Sequence, residues 1–89
     1  MAVYHVTEGY KITIVTVTLE NTGTAAADIS DTITVSELKT VLHILGVVRE
    51  DTNNTGIVAK PAGDNKIDVT AQSVPAGAKT TFKLVVLGY

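Results

Sequence analysis

The 89-residue sequence contains no cysteine, a single arginine, two prolines and few aromatic side chains: Tyr4, Tyr10, Phe82 and Tyr89. Without cysteine there is no disulfide staple, no zinc knuckle and no thiol nucleophile, so the disulfide-rich secreted class is excluded. Charge is also scarce, at 18% of residues, with seven Lys and Arg against nine Asp and Glu and a formal net charge of −2. Arg49 sits beside Glu50 and Asp51, and Lys11, Lys39, Lys60, Lys66, Lys79 and Lys83 are scattered with no run of neighbours. That pattern lacks the basic footprint that phosphate backbones demand, and no nucleic-acid partner is expected. The N-terminus, Met1 to Gly9, has neither a basic n-region nor a continuous apolar stretch, so no signal peptide is predicted. The longest apolar run, Val41 to Val48, is broken by His43 and falls far short of the roughly 20 residues of a membrane helix. No membrane partner follows from it. The chain is expected to be complete and soluble, one domain spanning residues 1–89.

What the sequence has in abundance is β-branched side chains. Thr (14), Val (13) and Ile (7) supply 34 residues, and hydrophobic residues make up 45% of the chain. Such side chains lose rotamer freedom in helices and fit a pleated surface, so sheet is the expected structure. That apolar content also argues against disorder. Runs of these residues are separated by Gly, Pro, Asn and Asp clusters, which is the spacing of an all-β sandwich. Strands are predicted at 2–7, 11–20, 28–35, 40–50, 56–60, 66–71 and 80–87. The fold class is therefore all-β, an antiparallel β-sandwich of about seven strands, Ig-like or jelly-roll-like. In 11–20, Ile12 and Ile14 share one face while Val15, Val17 and Leu19 share the other. A β-bulge or a crossover between sheets near Ile14–Val15 would bring both sets inward. Ser36 is a good N-cap, and Leu38, Val41, Leu42 and Leu45 fall at helical spacing. Gly46 and the β-branched pair Val47-Val48 oppose a long helix. One helical turn near residues 36–39 followed by a strand is the reading adopted, with a helix through Leu45 as the alternative.

Few constellations carry chemistry. His5 and His43 lie far apart, and no Asp or Glu flanks His43 to orient a metal ligand; both are read as structural or surface histidines. Asp51, Asn53, Thr55 and Gly56 match the opening of a calcium loop, but its twelfth position is Ala62, which supplies no carboxylate. The same residues build Asx turns between strands. Asn53-Asn54-Thr55 is also a glycosylation sequon, and with no signal peptide predicted its modification is not expected. Gly77-Ala78-Lys79-Thr80-Thr81 lacks the glycine before the lysine and opens a strand, so it is no phosphate loop. No G-x-S-x-G elbow surrounds Ser30, Ser36 or Ser73, and the carboxylates cluster in turns. No catalytic residue, no metal ligand beyond the weak calcium candidate and no cofactor is assigned. Phe82 reads as core. Tyr4, Tyr10 and Tyr89, near the two chain ends, are candidate interface residues or caps on a small core.

Two resemblances bear on function. The stretch Ile12 to Ala25, with Asn21-Thr22-Gly23 and the later Asp31-Thr32-Ile33, resembles the Ig-like modules repeated in microbial surface proteins. Pro75 to Leu84 is similar to their closing strand. Thr34 to Val41 with Leu45-Gly46-Val47-Val48, and the ending Phe82 to Tyr89, resemble the small Thr/Val/Ala-rich structural proteins of tailed phages and similar viruses. The second resemblance implies a non-enzymatic capsid, decoration or tail component located in the virion. Its expected partners are itself and a shell protein, as a homo-oligomer or larger assembly. The first implies an extracellular adhesion module. A small ligand- or calcium-binding module is the third alternative.

Overall fold

A computed structural model describes residues 9–89, which form six strands. They are β1 (Lys11–Glu20), β2 (Ala27–Thr34), β3 (Val41–Arg49), β4 (Gly56–Pro61), β5 (Lys66–Val74) and β6 (Lys79–Gly88). The strands pair antiparallel in two three-stranded sheets, ordered β1-β6-β3 and β2-β5-β4. The strand expected at 2–7 lies outside the described residues, as do Tyr4 and His5. All-β architecture is thus what the β-branched composition delivers. Among the described residues no helix is long and apolar enough to cross a membrane.

The two central strands carry the core. Along β6, Thr80, Phe82, Leu84, Val86 and Gly88 are buried while the intervening residues are not, the period-2 signature of a strand with one face covered. β5 matches it with buried Ile67, Val69 and Ala71. Val17 and Leu19 of β1, Val41 of β3 and the connecting residues Val35 and Leu38 complete one continuous apolar cluster. Its members come from both sheets, so each sheet hides the apolar face of the other.

Three local expectations need correction. First, β1 has no bulge: its register with β6 runs unbroken from Lys11↔Gly88 to Glu20↔Lys79. Val15, Val17 and Leu19 face inward, and Ile12 and Ile14 stay outside, each 65% exposed. Apolar character does not oblige a side chain to be buried, and here continuous backbone pairing prevails. Second, the irregularities lie in β3, with register shifts at Val41/His43 and Ile44/Gly46, and in β2 at Ala27/Ile29. The β2 shift sits opposite Ser73, which holds a left-handed φ of 53° and donates its N–H to Asp28 Oδ1 at 2.9 Å. Third, residues 36–39 form no helical turn of a helix. Leu38 N–H donates to Val35 O at 3.1 Å, closing a tight turn whose Leu38 side chain is buried. β3 then starts at Val41, which removes the helix through Leu45 as well.

The chain's end is pinned to this turn. Lys39 and Thr40 N–H groups donate to Tyr89 O, and Tyr89 N–H donates to Thr40 O. A Cβ at Gly88 would collide with Thr40 O and the Leu38 side chain, so only glycine permits the approach. At the opposite end, buried Asn21 donates its side-chain N–H groups to Ala25 O and Val74 O and accepts from Gly23 N–H. It thereby ties the β1–β2 turn to the end of β5. Truncating the fully buried Phe82 to Ala should cost about 3–5 kcal/mol, whereas Val58→Thr on an exposed position should stay within about 0.5 kcal/mol. Urea unfolding midpoints at unchanged slope check both.

Candidate interaction surface

The two sheets present different outer faces, and the difference follows from which side chains alternate with the core. On the sheet β2-β5-β4, most outward positions are hydroxyls and charges in register, with exposed Val58 opposite Thr70 as the apolar exception. Ser30 and Thr70 share a hydrogen bond of 2.8 Å, and Thr32 donates to Asp68 Oδ1 at 2.7 Å. Lys60 stands across from Asp68. A shallow, open hollow of about 490 Å³ lies over this ladder. Four of its polar side chains, Ser30 with Thr70 and Thr32 with Asp68, bond one another, which makes the face mainly polar.

The sheet β1-β6-β3 is graded along its length. At one end the cross-strand rows are Ile12–Leu87–His43 and Ile14–Val85–Gly46. Tyr10 and Tyr89 close that end, ring centroids 5.9 Å apart and planes inclined by 50°. Two of the three tyrosines marked in the sequence thus meet on one edge of the molecule, and both remain about half exposed. His43 stands in the same row as Ile12 and Leu87. Toward the other end the rows become polar: Thr18 bonds Thr81 at 3.0 Å, and Lys83 pairs with Glu50 at 3.1 Å. Exposed Leu45 and Val48 extend the apolar area along β3.

The loop after β3 holds the other organised cluster. Asp51 Oδ2 accepts the Thr81 N–H at 2.9 Å, while Oδ1 accepts the Asn53 N–H and the Thr80 hydroxyl, each at 3.0 Å. Asn53 Nδ2 donates to Lys79 O, Thr55 Oγ1 lies 3.4 Å from Gln72 O, and Arg49 Nη2 donates to Asn54 O. Buried Asn54 donates to fully buried Thr80, and its own Oδ1 has no partner. The three calcium candidates therefore point their polar atoms at strands β5 and β6 and lock the loop against them. Among the described residues, no three His, Asp or Glu side chains gather into a metal-holding group. The Thr81 N–H bond, helped by Asn53, Thr80 and the charge of Arg49, holds the Asp51 carboxyl below its ordinary value of 3.8 against the opposing effect of burial.

Comparison with protein-family models, with curated proteins and with solved structures gives no significant match. Apolar residues on both faces of 11–20 suggest burial of both sets, whereas Ile12 and Ile14 are exposed. The only signal that could have exposed them is the absence of Gly, Pro or Asn inside 11–20 to host a bulge.

The Asp51 lock has three testable consequences. Asp51→Ala should destabilise by about 1–3 kcal/mol, because the Thr81 N–H and Thr80 hydroxyl lose their acceptor. A folded-state value lowered from 3.8 means that the contribution is present above the unfolded value and disappears as pH falls through the folded one. The gap between wild type and Asp51→Ala in urea midpoints should therefore narrow below about pH 4. Millimolar calcium should leave the melting temperature unchanged, since the Asp51 oxygens are engaged within the fold.

Proposed function

We propose that the protein is a non-enzymatic structural component that works by self-association and by contact with a shell protein, as a capsid, decoration or tail part of a virion. In this reading the two sheets are an Ig-like or jelly-roll-like sandwich, used as a rigid tile. The observation that carries it is the unequal dressing of the two outer faces. One is a mainly polar ladder with Val58 as its apolar exception, and the other presents Tyr10, Ile12, Ile14, Val85, Leu87 and Tyr89 in adjacent rows. Contiguous exposed apolar area of this kind marks interaction sites. Low charge density leaves little electrostatic repulsion between copies. Many weak identical contacts then suffice to hold a shell, because each bound copy raises the effective concentration of the next contact. The chain's polar clusters serve loop locking, which fits a scaffold.

Sedimentation velocity over a wide concentration range, together with pull-down against viral shell proteins, tests this function. Growth of species larger than the monomer, with capture of a shell protein, is expected. A monomer at every concentration that captures no shell protein contradicts it. An extracellular adhesion module is the second reading, favoured by a chain that crosses between the sheets at four of its five connections (all but β4 to β5); tandem copies in the full gene would select it.

A further inference from the structure

We draw no further inference here: the strongest candidate, the apolar end of the β1-β6-β3 face around Tyr10, Ile12, Ile14, Leu87 and Tyr89, carries none because nothing in the structure shows what covers it.

Discussion

The interaction on which everything else depends is the packing of β5 against β6, the central strand of each sheet. Ile67, Val69 and Ala71 on one and Phe82, Leu84 and Val86 on the other are the innermost side chains of the molecule. A small chain has no second core to fall back on. Each central strand has both edges paired, so its backbone groups are satisfied without water and its inner face can be wholly dry. The outer strands then need contribute little, and β2 and β4 add only the half-buried Ile29, Ile33, Ile57 and Ala59. β1 supplies Val17 and Leu19, and β3 supplies Val41.

That division of labour explains the surface. Because β1 is only partly needed by the core, its outward residues are free to be Ile rather than Thr without threatening the fold. The polar end of the same sheet is fastened by Thr18–Thr81 and Lys83–Glu50, and the loop beyond it by Asp51. The apolar end is fastened by backbone bonds between Tyr89 and Thr40 instead. Side chains at that end are therefore spared structural hydrogen bonding and remain available for contact. Stability and interaction are separated along the strand axis.

Much of this is legible in the sequence, and the exceptions have physical causes. Strands 11–20, 28–35, 56–60 and 80–87 agree with the structure to within a residue at either end, since Asn21, Gly56, Pro61 and Pro75–Gly77 punctuate them with turn chemistry. β5 runs three residues past the predicted end at Ala71, because Ser73 adopts a left-handed conformation and the ladder resumes at Val74. In β3, apolar residues on both sides of the strand leave no phase to read, so its two register shifts are invisible to pattern alone. The turn at residues 36–39 imitates a helix start because Ser36 and Leu38 suit both. What decides it is Leu38 dropping into the core beside Gly88, a contact between positions far apart in sequence. Position near the chain ends singles out Tyr4, Tyr10 and Tyr89 without pairing them, and the register Lys11↔Gly88 is what brings Tyr10 and Tyr89 together. The spacing of Asp51, Asn53 and Thr55 suggests oxygen ligands, whereas in the fold they accept and donate hydrogen bonds to neighbouring strands.

The account turns on the facing of β1, since that one register decides both what the core contains and what the surface offers. Methyl-labelled NMR on the full chain reads it directly through nuclear Overhauser contacts of Ile12, Ile14, Val17 and Leu19. Contacts of Val17 and Leu19 with core methyls such as Ile67 and Leu84, and of Ile14 with Val85 alone, are the predicted result. Contacts of Ile12 or Ile14 methyls with the Phe82 ring or with Ile67 would place those residues inside and contradict the account.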